Sequence, residues 1–153
     1  MTEWNSDTAE WYATNYGEYP TNRLPVDALD LPMDAVVVDI GCGTGYALRQ
    51  AALRVTRGRL IGIDPVPRMI EIARERTLGH PNSAQIEFRH GSAEEIPIED
   101  ESADFVFAFD SVDHWQDIER GFGEIRRILR QGGKLTIVKD GAVPGAAEAR
   151  RSL

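Results

Sequence analysis

Short runs of β-branched and aromatic residues alternate along this chain with stretches in which apolar residues recur every three or four positions. The first pattern is typical of β-strands and the second of amphipathic helices. Strands that alternate with helices predict an α/β fold, in which a mostly parallel sheet is doubly wound by helices on both faces. We expect strands at residues 35–40, 59–64, 85–89, 104–109 and 134–139, and helices at about 46–56, after Pro67 and at about 115–129.

A cluster of glycines follows the first predicted strand directly. Gly41, Gly43 and Gly45 stand at alternate positions after Asp39, where a backbone without side chains can turn tightly and let a ligand approach closely. The second strand ends in Asp64, whose carboxylate can accept hydrogen bonds from ribose hydroxyls or simply cap the next helix. Ligands of such sheets bind beyond the carboxyl ends of the strands, so we expect the site there.

A dinucleotide site is one alternative interpretation of these glycines. It requires the spacing Gly-x-Gly-x-x-Gly, whose third glycine lets the helix pack closely on the strand. Counted from Gly41, the third glycine would fall at Tyr46. The spacing therefore disfavours an NAD(P)-binding Rossmann protein, which is our third-ranked interpretation.

The segment Val38-Asp39-Ile40-Gly41-Cys42-Gly43-Thr44-Gly45 resembles the first motif of class I S-adenosylmethionine-dependent methyltransferases. The resemblance extends from about residue 35 to 139. Residues 91–97 and 124–129, the latter ahead of a glycine pair, are similar to the type 11-like subgroup that methylates small molecules. The resemblance implies a Rossmann-like sheet, S-adenosylmethionine as cofactor with S-adenosylhomocysteine as product, and a small-molecule methyl acceptor.

The same resemblance implies roles for individual residues. Gly41, Cys42 and Gly43 would contact the methionine part of the cofactor, Asp39 would orient its ammonium group, and Asp64 would bind its ribose. The other residues expected to line the cofactor are Pro65, Val66, Ser92, Ala93, Phe109 and Asp110. The family usually has an acid where Ser92 stands. A serine cannot make the charge-assisted hydrogen bond to the adenine amino group, so we expect a modest affinity for the cofactor.

Catalysis of methyl transfer depends mainly on aligning donor and acceptor and on excluding water. A general base is required only when the acceptor loses a proton, and His114 and Asp113 are the candidate catalytic residues. The alternative is a polar loop that caps the next helix. We expect no metal site.

Five aromatic residues lie in the first 34 positions. We interpret residues 1–34 as an aromatic lid segment over the cofactor, and residues 35–153 as the S-adenosylmethionine-binding domain. The alternative is that these rings only cover the sheet and its helices.

The composition disfavours several classes of binding partner. A net charge of −8 works against binding to nucleic-acid phosphates or to anionic lipid. No apolar run approaches the roughly 20 residues that span a bilayer, and the N-terminus lacks the features of a signal peptide. The single cysteine, Cys42, has no partner for an internal disulfide. We expect a cytoplasmic protein with no nucleic-acid or membrane partner.

Residues 140–153 provide at most a short helix after the fifth strand, whereas the family sheet ordinarily continues with a helix and two more strands. We therefore expect a sheet truncated after strand five, with an apolar edge at residues 135–138. The tail, the N-terminal segment or a second copy could cover it, and we favour a homodimer. The leading function is a methyltransferase with an unidentified acceptor, and the alternative is a non-catalytic cofactor-binding or interaction module.

Overall fold

The computed structural model describes residues 4–18 and 20–139, except for the side chain of Thr21. Five strands form one sheet, in the order β3-β2-β1-β4-β5, and every neighbouring pair is parallel. The strands are β1 (Val36–Ile40), β2 (Arg59–Asp64), β3 (Ile86–His90), β4 (Ala103–Phe109) and β5 (Leu129–Val138). The helices are α1 (Ser6–Tyr16), α2 (Leu24–Asp27), α3 (Tyr46–Ala51), α4 (Pro67–Thr77) and α5 (Ile118–Ile128).

This topology confirms the predicted α/β class and the doubly wound parallel sheet. The strand order reverses between β1 and β4, and in sheets of this kind the position expected for a ligand lies beyond the carboxyl ends of these two strands. In the part of the chain that the structure describes, β5 is the last strand at its side of the sheet. The tail predicted to form a short helix lies outside the described residues.

Two hydrophobic clusters cover the two faces of the sheet. On one face, Leu48 of α3 and Ala73 of α4 pack with Val37 of β1. On the other face, Ile125 of α5 packs with Val38 of the same strand. Because β1 is buried on both sides, it begins with the uninterrupted apolar run Val36-Val37-Val38 instead of an alternating pattern.

The N-terminal segment is divided between two positions. Helix α1 packs on the outer side of α4, where Ala9 contacts Val66 and Met69. An ion pair between Glu10 Oε1 and Arg68 Nη2, 2.5 Å apart, reinforces that contact. Val26, in α2, instead belongs to the main core cluster. The proposed lid segment therefore contains one outer helix and one short helix that forms part of the core.

Three element boundaries differ from the sequence-based expectation. Helix α3 ends at Ala51 rather than near residue 56, although Val55 is buried as the periodicity requires. Helix α5 begins at Ile118 rather than at Trp115, because the Asp117 side chain accepts from the backbone of residue 120 and caps the helix. The expected stop at residues 131–133 lies inside β5, which begins at Leu129, where the chain pairs with Ala103.

None of the helices within residues 4–18 and 20–139 has the length and apolar character needed to cross a bilayer.

Candidate functional site

The glycine loop between β1 and α3 lies at the point where the strand order reverses. Gly41 and Gly43 have φ angles of 76° and 53°, which favour glycine over other residues. A Cβ atom on Gly41 would lie 2.5 Å from Ser111 Cβ, whereas a Cβ on Gly43 would meet, of the atoms that the structure describes, only Tyr12 Cε1, at 3.9 Å. Gly41 is thus required for packing, and Gly43 leaves open space above the backbone.

Asp64 connects the end of β2 to this loop. Its Oδ2 accepts a hydrogen bond of 3.1 Å from the Gly43 N–H, and its Oδ1 accepts one of 2.9 Å from the Val66 N–H. Burial raises the pKa of this carboxyl to about 6, although both backbone bonds act in the opposite direction. The structure therefore brings together Asp64, Gly43 and Val66, which the sequence analysis proposed as parts of one site.

Asp39 is the second buried acid beside the loop, with only 2% of its surface exposed. Its Oδ1 atom has no hydrogen-bond partner among the described residues. Burial, and secondarily the negative charge of Asp64, raises the pKa of Asp39 to about 8. A buried oxygen with unused accepting capacity is costly unless a donor reaches it, so this position suits a cationic donor from a ligand.

The remaining residues predicted near β1 to β3 surround the two acids. Cys42 is buried, and burial raises the pKa of its thiol, so the sulfur is held in its neutral form. The Pro65 carbonyl lies 2.9 Å from His90 Nε2. The Gly91 N–H donates to the Asp64 carbonyl at 3.1 Å, which sets the start of the segment holding Ser92 and Ala93.

That segment forms a tight turn after β3. The Ser92 carbonyl accepts from the Glu95 N–H at 3.3 Å, and Ala93 is buried in the cluster beneath α5. Glu94 Oε1 accepts from the backbone N–H of residues 116 and 117 and so ties the turn to the start of α5.

The chain after β4 closes the other side of the glycine loop. The Phe109 ring stacks on Phe107 with centroids 4.9 Å apart, and both belong to the core. Asp110 has a positive φ of 52° and donates its N–H to the Val138 carbonyl at 2.8 Å. The buried Ser111 hydroxyl donates to the Ile40 carbonyl at 2.8 Å. Sequence analysis missed Ser111, because its partner lies far away in the sequence.

Asp113 and His114 lie in an exposed turn between β4 and α5. Asp113 Oδ1 is 3.1 Å from Lys139 Nζ, so it forms an ion pair with the end of β5. The His114 ring contacts Trp4 edge-on with centroids 5.8 Å apart, and Trp4 contacts Tyr12 in the same way at 5.4 Å. The structure thus links His114 to the N-terminal aromatic residues, one of which lies beside Gly43.

Sequence analysis also missed two buried polar residues: Thr44, which lies within the loop, and Arg49 of α3, which contacts the loop. Arg49 Nη1 donates to the Thr44 carbonyl at 2.5 Å, and the Thr44 hydroxyl donates to the Gly17 carbonyl at 2.8 Å. The sequence feature that could have indicated them was an arginine next to Leu48, on the apolar face of α3.

Comparison with known proteins gives concordant matches. The family model described as a methyltransferase domain matches residues 38–137. An uncharacterized methyltransferase of Mycobacterium tuberculosis is 33% identical over 144 residues, which are 90% of this chain and 55% of that protein. A 2-phytyl-1,4-naphthoquinone methyltransferase of Thermosynechococcus vestitus is 33% identical over 117 residues, covering 76% of this chain and 51% of the relative.

The fold also matches a solved structure, that of a candidate S-adenosylmethionine-dependent methyltransferase from Methanococcus maripaludis. The TM-score is 0.80 at 23% identity, and the alignment covers 99% of this chain and 71% of that one. The chain spans about half the length of the two curated relatives named above.

Proposed function

This chain belongs to the methyltransferase-domain family, and we propose that it binds S-adenosylmethionine at the glycine loop and transfers the methyl group to a small-molecule acceptor. One observation carries the proposal. Within residues 4–18 and 20–139, a buried Asp39 oxygen has no hydrogen-bond partner and lies beside a glycine loop that is open above Gly43, at the point where the strand order reverses. The dinucleotide interpretation is set aside, because the family match supports a methyltransferase instead.

The residues fit the chemical groups of that cofactor. Asp39 would accept from the ammonium group and thereby gain the charged donor that its buried oxygen lacks. The open space at Gly43 would admit the methionine chain, with Gly41 and Cys42 forming the floor. Asp64 would accept from the ribose hydroxyls. When bound, the sulfonium group supplies an activated methyl carbon for in-line displacement.

The residues around the adenine side follow from the same arrangement. We propose that Pro65 and Val66 flank the adenine from the end of β2, and that Ser92 and Ala93 meet its edge from the turn after β3. Asp110 and Phe109 would close the opposite side, beyond β4. The backbone bonds that connect β2, β3 and the glycine loop support this grouping.

The acceptor site would lie between the N-terminal segment and the turn after β4. Trp4 and Tyr12 approach the site from one side and His114 from the other, and these rings can exclude water from the reacting atoms. We propose His114 as the base for an acceptor that loses a proton, because the Asp113 carboxylate is paired with Lys139. A relative named for a naphthoquinone substrate supports a small-molecule acceptor.

Thermal unfolding with S-adenosylhomocysteine is the first test. A ligand that binds only the folded state stabilises it by about 2.7 kcal/mol at 100 times its Kd, which corresponds to roughly 5–10 °C in Tm for a chain of this size. NADH at the same concentration is the control and should leave Tm unchanged. A rise with NADH but not with S-adenosylhomocysteine would refute the proposal.

Labelled S-adenosylmethionine and a panel of quinols, phenols and amines then test the transfer itself. Formation of a labelled product supports the enzyme. Binding without transfer to any panel member would instead support the alternative, a non-catalytic cofactor-binding module. His114→Gln should slow transfer to phenols, which must lose a proton, more than transfer to tertiary amines, which need not.

A further inference from the structure

Thr44 forms a bridge between two parts of the chain that are remote in sequence. It stands between Gly43 and Gly45 and is only 3% exposed. Its hydroxyl donates to the Gly17 carbonyl at 2.8 Å, just after the end of α1. The contact is close on the other side too, because a Cβ on Gly17 would lie 2.8 Å from Thr44 Cγ2. The glycine loop and the end of α1 are therefore in direct contact.

Arg49 contacts Thr44 and so stabilises the same bridge. Its Nη1 atom donates to the Thr44 carbonyl at 2.5 Å and approaches Thr77 Oγ1 at 3.4 Å. Its Nη2 atom is buried without a hydrogen-bond partner among the described residues, and the carboxylate of Glu18 lies 4.0 Å away. The guanidinium group thus lies between the loop, the end of α4 and Glu18, which is two residues beyond the end of α1. A buried guanidinium fixes its neighbours, because moving them would leave it unpaired.

Helix α1 has separate contacts along α4. Glu10 pairs with Arg68, and Arg76 Nη2 donates to the Ala13 carbonyl at 3.1 Å. These contacts hold α1 without touching the glycine loop. Among the described residues, Tyr12 of α1 lies beside Gly43, but the hydrogen bonds and the ion pair that link the α1 end to the loop are those of Thr44 and Arg49 with residues 17 and 18.

We propose that Thr44 and Arg49 are positioning residues that couple docking of α1 to the shape of the glycine loop. The loop holds its ligand-binding backbone most firmly when α1 is docked, and a ligand on the loop holds α1 in place by the same free energy. This inference rests on the proposed cofactor site for its affinity readout only, since the coupling itself exists in the ligand-free protein.

Amide hydrogen exchange of the ligand-free protein is the primary experiment. Thr44→Val removes the hydroxyl and keeps the shape, so exchange should rise about two- to tenfold in both α1 and the glycine loop. The matched control is Thr77→Val, which removes another buried hydroxyl beside Arg49 without touching residue 17. Faster exchange in the loop alone, or equal effects of the two variants on α1, would overturn the proposal.

A double-mutant cycle supplies the second readout. Glu10→Gln weakens the docking of α1 at a distance from the loop, and it should lower the affinity for S-adenosylhomocysteine about two- to fivefold. In the Thr44→Val background the same change should have a smaller effect than in the wild type, since the hydrogen bond from Thr44 to the Gly17 carbonyl is already lost. If the affinity loss of the double variant equals the product of the losses of the two single variants, the coupling is refuted. If the wild type does not bind S-adenosylhomocysteine, the proposed function fails, and the exchange experiment still decides this inference.

Discussion

Replacing Asp39 with asparagine removes a buried carboxyl group and leaves a side chain of nearly the same shape. The folded protein holds the proton of Asp39 up to a pKa of about 8, whereas the ordinary value is 3.8. Between these values the unfolded chain binds fewer protons than the folded one, so the free energy of unfolding falls as pH rises. At about 1.4 kcal/mol per pKa unit the loss reaches a limit on the order of 6 kcal/mol.

Asp39→Asn should remove this loss. The variant and the wild type should have similar stability near pH 3.5, and the variant should become progressively more stable as pH rises from about 4 to about 8. Asp64 has a raised pKa of about 6 and acts in the same direction, but it is present in both proteins. Denaturant titrations at intervals of one pH unit measure the difference.

Asp30→Asn is the matched control, because Asp30 is exposed and the substitution also removes one negative charge. It should show no comparable dependence on pH. A constant difference between Asp39→Asn and the wild type from pH 4 to 8 would refute the argument that burial keeps Asp39 protonated.

Asp39→Asn should raise the stability of the ligand-free protein but weaken its binding of S-adenosylhomocysteine. Binding of the ammonium group of S-adenosylhomocysteine requires the charged carboxylate, so the wild type should release close to one proton at pH 7. Calorimetry in buffers of different ionisation enthalpy measures that release. The asparagine variant should release none through this residue and bind at least tenfold more weakly, since a hydrogen bond to a charged group contributes about 1.5–3 kcal/mol. Equal affinity in the two proteins would exclude Asp39 from the site.

Three further expectations concern other parts of the molecule. Asp64→Asn should weaken S-adenosylhomocysteine about tenfold in calorimetry, because its amide replaces a charged acceptor, and unchanged affinity would remove the ribose assignment. Gly43→Ala and its control Gly132→Ala place a side chain at positive φ with no close contact, so each should lose about 1–2 kcal/mol of stability. Only the first should impair binding, and equal impairment would contradict the site. If β5 pairs with a second copy, light scattering at micromolar concentration should give a dimer, and a monomer would refute it.

The strand ends were predictable from the sequence because their signals are local. β1 ends at Ile40, directly before Gly41, and β2 ends in Asp64, as expected. Both features depend on residues that are neighbours in the chain, and parallel pairing then brings the two ends to the same edge of the sheet. The position proposed for the candidate site followed from these two observations.

The boundaries that were wrong depend on contacts that hydrophobic periodicity does not indicate. Leu129 is in a helical pattern but has ψ of 134°, because it pairs with Ala103 of β4. The start of α5 is set by the side chain of Asp117, which caps the helix and leaves Trp115 outside it, with the Trp115 ring packed beside Gly121. Ser111 was missed because its partner, the carbonyl of Ile40, is remote in the sequence. Hydrophobic periodicity indicates which face of a helix or strand is buried, but it does not indicate which other element that face contacts.

The glycine loop is held by groups that use its backbone and leave its upper side open. Asp64 accepts from Gly43, Ser111 donates to Ile40, and Arg49 donates to Thr44. A loop fixed in this way loses little conformational entropy when a ligand binds, which favours affinity. Because all three contacts are to the main chain, the loop needs no large side chains that would obstruct the ligand.

Asp64 can serve both the loop and a ligand. Each of its oxygens already accepts one backbone hydrogen bond, but an ionised carboxylate has about four accepting positions. Two positions therefore stay available for a pair of hydroxyls. We accordingly propose that ribose binding adds to the contacts with Gly43 and Val66 and does not replace them. The N–H of Gly43 should then show slower hydrogen exchange with S-adenosylhomocysteine than without it, whereas replacement would make its exchange faster.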